Sequence, residues 1–225
     1  WTATGEPVPP RWWTGIEWTD HVRPVLGLLL ATGSLLTVLC TANIYASLKP
    51  IRAWRERHVV PAYLLLGLYG GALLLLASAT LDRMMWQRDR QVLLAATVAL
   101  AAVGAWLKRK YWHAIDAQPV VAAGHATGLE SLGATRPLEA PHTEENYLTQ
   151  EMGFVLARRH AAKLRRIALV AAFLVPALLA AVALVVPAAW PFAAWPALAG
   201  GVAGLFVERW LFFAEAKHAV MGFYG

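Results

Sequence analysis

The chain has 225 residues, of which 58% are hydrophobic and only 15% charged, well below the roughly 25% charged residues of an ordinary soluble domain. Its charges are gathered into short clusters between long apolar runs, which excludes a soluble globular domain and implies an all-α, polytopic transmembrane helix bundle. The net charge of +6 does not argue for nucleic acid, because the basic residues flank apolar runs, where they set membrane topology.

A bilayer core about 30 Å thick takes about 20 apolar residues per helix. Residues 1–18 (WTATGEPVPPRWWTGIEW) lack the basic start and apolar core of a signal peptide. Trp12, Trp13 and Trp18 suit the outer interface, and the start at Trp1 leads us to expect a chain that is processed or lacks its beginning. Five spans follow: 22–47, 59–81, 91–113, 165–187 and 196–219. Glycines 67, 70 and 71 in the second span and 200, 201 and 204 in the fifth suit close helix packing. Pro176 is expected to kink the fourth span. The domain scheme is therefore an interfacial segment (1–21), three spans (22–113), a loop (114–164), and two spans with the C-terminus (165–225). The loop is too short for a core of its own. Its second half, NYLTQEMGFVLARRHAAKLRR, reads as a basic amphipathic helix that lies on lipid, sets topology or docks a partner protein.

Lys and Arg are distributed unevenly. The side holding the first interspan loop, the 114–164 loop and the C-terminus carries Lys49, Arg52, Arg55, Arg57, Lys108, Arg109, Lys110, Arg136, Arg158, Arg159, Lys163, Arg165 and Arg166, with Lys217 near the end of the chain. The opposite side carries Arg11, Arg23, Arg83, Arg88 and Arg90. The basic side is therefore expected in the cytoplasm. Cys40 is the single cysteine, so no intrachain disulfide or thiolate cage can form, and an iron–sulfur centre would have to belong to a partner. No metal site is expected in this chain.

Charged groups within a span are functional candidates. The fifth span offers Glu208, Arg209, Phe212, Glu215 and His218, with Glu208, Phe212 and Glu215 on one helical face. Glu208 is about 18 Å along the helix from Pro196. A carboxylate, an imidazole and aromatic walls would suit a quinone head group, which needs hydrogen bonds to its carbonyls and a proton route. The plainer reading is a Glu208–Arg209 charge arrangement that only locks helices together. A second group gathers around the first interspan loop: Tyr45, Trp54, His58 and Tyr63, with Trp112 and His113 at the end of the third span. Its plainer reading is an interfacial aromatic belt. No histidine pair lies deep in the spans, while His58, His113 and His218 near one interface leave a haem b anchor as an alternative.

TANIYASLKPIRAW with VVPAYLLLGLYGGALLLL, and the C-terminal GLFVERWLFFAEAKHAVMGFYG, resemble the membrane anchor subunits of dimethyl sulfoxide reductase-type molybdoenzymes. PHTEENYLTQEMGFVLARRHAAKLRR is similar to the branch that includes the anchor of cytoplasmic sulfite dehydrogenase. The resemblance implies an anchor, not catalytic by itself, in a three-part complex of the bacterial inner membrane. Its partners would be a molybdopterin catalytic subunit and an iron–sulfur electron-transfer subunit. It also implies a quinone, ubiquinone or menaquinone, bound non-covalently, with Glu208, Arg209, Phe212, Glu215, His218, Tyr45, Trp54 and His58 as its candidate contacts. Lys49, Arg52, Arg55, Arg57, Arg158, Arg159 and Lys163 would dock the iron–sulfur subunit by charge complementarity. Family members usually have about eight spans, and their early spans carry a His-Leu-Gly stretch and a Glu used in quinone chemistry. Neither occurs here, so about three N-terminal spans are expected to be missing. In the periplasmic reductases the equivalent side faces the periplasm, whereas the basic residues here put it inside. That favours cytoplasmic partners and electron flow from sulfite through molybdenum and iron–sulfur centres to quinone. A purely structural tether, with quinone bound elsewhere, is the other reading of the same family.

Overall fold

The computed structural model describes residues 16–82, 87–118, 127–133 and 155–219, together with 124 and 139. Most of the N-terminal interfacial segment and most of the 114–164 loop, including NYLTQEMGF, lie outside the described residues. Among the described residues, seven α-helices occur in chain order: α1 (Ile16–Ala46), α2 (Val59–Asp82), α3 (Gln87–Asp116), α4 (Val155–Arg159), α5 (Ala161–Leu169), α6 (Val175–Val185) and α7 (Trp190–Ala214). A π-helical turn, Val170–Leu174, joins α5 to α6. Among the described residues, five helices are long and apolar enough to cross a membrane, with α5, the π-turn and α6 forming the fourth as one continuous rod. The five-span, all-helical expectation therefore holds, and among the described residues there is no strand.

The chain divides into two compact units, Trp1–Thr41 and Ala42–Gly225. In the first, α1 exposes Leu28, Leu29 and Leu30, as lipid permits, and the Thr37 and Thr41 hydroxyls bond back to carbonyls one turn earlier. In the second unit, α2 packs on α3 and α7, and the α5–α6 rod packs on the same two helices. The four spans thus form a ring in which α3 faces α7 across one diagonal and α2 faces the α5–α6 rod across the other.

Both diagonals are crossed by polar side chains. On α2, the Tyr69 hydroxyl donates to the Ala172 carbonyl at 2.5 Å. That carbonyl lies four residues before Pro176, whose ring nitrogen has no proton to give it. The expected disturbance at Pro176 therefore takes the form of a π-turn just ahead of the proline, and Tyr69 serves the freed acceptor. The backbone of α7 comes against the same turn at Gly204, where a Cβ would collide with the backbone of Ala171 and Ala172. Gly201 and Gly104 likewise leave room for Leu73 and Phe173. Of the glycines expected to pack, Gly201 and Gly204 do so most closely, whereas Gly71 faces open space. Without a hydrophobic force between helices in lipid, such close approach is what holds spans together.

The fifth span runs from Trp190 to Ala214 rather than from 196 to 219. Pro191 occupies its first turn, where a missing N–H is harmless. Beyond Ala214 the chain turns back: the Ala219 N–H donates to the Pro50 carbonyl at 2.9 Å, and His218 forms an isolated antiparallel bridge with Ile51.

Candidate functional site

Inward-facing positions on α3 and α7 recur with the same spacing. On α3 they are Thr97, Ala101, Gly104, Lys108 and Tyr111, and on α7 Ala197, Gly201, Gly204, Glu208 and Leu211, all buried. This three-or-four periodicity is a single helix face. It carries Lys108 and Glu208 to the same level of the bundle, across the diagonal. Lys108 Nζ meets Glu208 Oε1 at 2.5 Å, and both side chains are almost wholly buried. Arg209 Nε donates to Glu208 Oε2 at 2.5 Å, and Arg209 Nη2 donates to Oε1 at 2.7 Å. Glu208 is thus saturated by two cations, and the triad carries a net charge of +1.

Aromatic rings wall the triad. Lys108 Nζ lies 4.0 Å from the Tyr111 ring centre and 5.2 Å from that of Trp112. The Arg209 guanidinium lies 4.4 Å from the Tyr63 ring and 4.9 Å from the Phe212 ring. Such cation–π contacts offset part of the dehydration of a buried charge. Tyr45, Trp54, Tyr63, Phe212 and Phe213 form one packed cluster, with ring centres 5.2–5.8 Å apart. The Trp54 indole N–H donates to the Phe212 carbonyl at 3.0 Å, serving an acceptor left over in the last turn of α7.

A second ionic group closes the same end. Arg165 on α5 clamps Asp116 through paired bonds of 2.6 and 2.8 Å and Glu215 Oε1 at 2.8 Å. Glu215 Oε2 is buried without a hydrogen-bond partner among the described residues. Burial pushes the Glu215 carboxyl above its ordinary range, while Arg165 pulls the other way. Arg158 on α4 donates to the Ala214 and Ala216 carbonyls at 3.1 Å each, fastening the chain just past α7.

The structure thus brings Tyr45, Trp54, Arg209, Phe212 and Glu208 together. It does not continue the helix through Glu215 and His218 as a span to 219 would, because α7 ends at Ala214; Glu215 sits in the turn that follows and His218 in the bridge to Ile51. His58 is held by Glu56, with Nδ1 2.8 Å from Oε2. Among the basic residues expected to dock a partner, Lys49, Arg52, Arg55, Arg57, Arg159 and Lys163 are exposed. Arg158 is only partly exposed, and its guanidinium faces inward onto the α7 terminus. Sequence reasoning treated Lys108 as a topology signal and did not single out Tyr111, Arg165 or Asp116. The matched spacing of small and apolar residues on α3 and α7 is the signal that would have found Lys108.

No protein-family model matches the chain, and no solved structure matches it. Among curated proteins it is similar to one of the subunits of the sulfite dehydrogenase of Allochromatium vinosum, with 27% identity over 219 residues, 90% of this chain and 64% of that protein. The chain therefore spans less than two thirds of the length of the relative it matches.

Proposed function

We propose that this chain is the quinone-interacting membrane anchor of a sulfite-oxidising molybdopterin and iron–sulfur complex. In this reading it passes electrons from a partner iron–sulfur subunit to quinone drawn from the lipid. The observation that carries the reading is the similarity to a sulfite dehydrogenase subunit along nine tenths of the chain. The geometry of the basic end supports it. Tyr45, Tyr63 and Arg209 stay partly exposed around a ring cluster that offers a flat head group apolar walls, and the net positive triad favours electron-rich oxygens. Lys49, Arg52, Arg55, Arg57, Arg159 and Lys163 give the iron–sulfur subunit a basic face at the same end, which shortens the electron's path. That end faces the cytoplasm of a bacterial inner membrane in this proposal.

One observation favours the tether reading instead. Both Glu208 oxygens are held by cations, and the rings around them pack on one another, which is what a helix lock requires. Purification of the tagged chain from its native membrane separates the two. The anchor reading expects an iron–sulfur protein and a molybdopterin protein to co-purify, and quinone reduction to fall by an order of magnitude or more in Glu208→Gln. Full activity of Glu208→Gln and His218→Ala in an intact complex leaves the tether reading in place.

A further inference from the structure

At the end of α7, one carboxylate has an oxygen without a hydrogen-bond donor among the described residues. Glu215 lies in the turn after Ala214, its side chain only 8% exposed. Its Oε1 is held by Arg165, while Oε2 is buried and unpartnered. A buried acceptor without a donor is costly, and natural structures keep few of them. A proton on Oε2 changes its chemistry, since a neutral carboxyl is itself a donor and no longer carries a dehydrated charge.

The groups around it form a graded path to water. Arg165 is 19% exposed and shared between Glu215 and Asp116, whose side chain is 58% exposed. Lys108 and Tyr111 of α3 also bear on Glu215 electrostatically, and Arg158 of α4 holds the carbonyls on either side of it. When Glu215 is ionised, Arg165 balances two carboxylates; when Glu215 is protonated, Arg165 serves Asp116 alone. The cluster therefore has two charge states that differ by one proton without any rearrangement of helices. The triad deeper in the bundle lacks this property, because both Glu208 oxygens are already held by Lys108 and Arg209.

We propose that Glu215, rather than Glu208, is the proton-exchanging carboxyl of the basic end, and that the Arg165–Asp116 pair links it to water. This rests on the quinone reading above, with quinone as substrate. Reduction of a quinone to its quinol takes two electrons, supplied by the partner's iron–sulfur centre, and two protons. The Glu215 carboxyl gives one of the protons and regains it from water at the basic face; the other is drawn from the same water.

The test uses the intact complex in lipid vesicles, with two readouts. Infrared spectroscopy across a pH series follows a protonated-carboxyl band in the wild type. That band is expected to vanish as pH rises, to be absent from Glu215→Gln, and to titrate at lower pH in Asp116→Asn, where Arg165 is left to Glu215 alone. Quinone reduction is expected to fall about a hundredfold in Glu215→Gln, the low end for loss of a general acid. It should also lose its decline at alkaline pH, while Glu215→Asp recovers part of the rate. A wild-type complex that reduces quinone, beside a Glu215→Gln variant with the same rate and pH profile, overturns this inference and leaves the anchor reading standing. A carboxyl band that persists in Glu215→Gln overturns it as well. A wild-type complex that reduces no quinone overturns both.

Discussion

The two ends of the four-helix unit are built on different principles. At the basic end, Lys108, Glu208, Arg209, Arg165, Asp116 and Glu215 are set among aromatic rings, and α3, α4, α5 and the end of α7 are joined to one another by ionic or capping bonds. At the opposite end, Leu76, Ala79, Leu94, Ala180, Ala183, Ala193 and Ala194 pack with Trp190 in a cluster without an ion pair among its buried members. Its polar contacts are sparse: the Trp195 indole N–H donates to the Thr80 hydroxyl at 3.0 Å, and Arg90 lies 4.8 Å from the Trp190 ring. The apolar end does what lipid-embedded helices need for close packing and little more. The basic end carries buried charge, which a bundle tolerates at a cost in stability and which marks function by default. The difference teaches where to look for chemistry, even though the largest stability effects arise at that same end.

Stability measurements in mild detergent or vesicles sharpen the contrast. Glu208→Leu strands Lys108 and Arg209 as buried cations without a counter-charge, and a loss of about 3–5 kcal/mol is expected, the range for breaking a buried pair. Adding Lys108→Met to that variant should restore part of the loss; no recovery would mean that the triad is not the coupled unit described. Gly204→Val forces a side chain into the backbone of Ala171 and Ala172 and is expected to lower stability by about 1–3 kcal/mol or more. Tyr69→Phe leaves the Ala172 carbonyl unserved, for about 0.6–1.7 kcal/mol, the scale of interhelical hydrogen bonds in lipid. At the apolar end, Trp190→Phe shrinks a buried ring but also removes an indole N–H without a partner among the described residues, so a loss of only about 1 kcal/mol, the common size for a point substitution, is expected. A loss at Trp190 as large as that at Glu208 would erase the contrast between the ends.

The pH dependence follows from Glu215. Its carboxyl is raised by burial in the folded state, so the folded protein binds its proton more tightly than the unfolded chain does. The contribution of Glu215 to stability is then fully present below the ordinary carboxylate range and is lost as pH rises from that range through the raised value. Glu215→Gln should flatten that decline in a thermal-melt series across pH.

Much of this architecture is legible in the sequence because lipid imposes simple rules. Apolar runs of span length give the five helices, and the distribution of Lys and Arg separates the two ends. The gathering of Tyr45 and Trp54 around the first interspan loop is visible as an aromatic cluster, and the structure adds their packing against Phe212. The rest depends on which way helices face. Lys108 falls within LKRK, where composition reads as a topology signal, and only the spacing of Ala101, Gly104 and Tyr111 turns it inward. Arg158 reads as part of a basic docking surface, yet the unserved carbonyls after α7 draw it in. His218 appears one turn past Glu215 only if the helix continues, and the bridge to Ile51 ends that continuation. Pro176 signals a disturbance without specifying that a π-turn and Tyr69 will absorb it.

The central claim, that quinone engages the basic end, is tested most directly by photolabelling. A quinone carrying a photoreactive group is crosslinked in native membranes, and the labelled peptides of the tagged chain are identified by mass spectrometry. The account predicts label on peptides from the start of α2 around Tyr63 and from the end of α7 around Arg209 and Phe212, displaced by excess unlabelled quinone. Label confined to co-purifying proteins, or to the apolar end around Trp190, would contradict it.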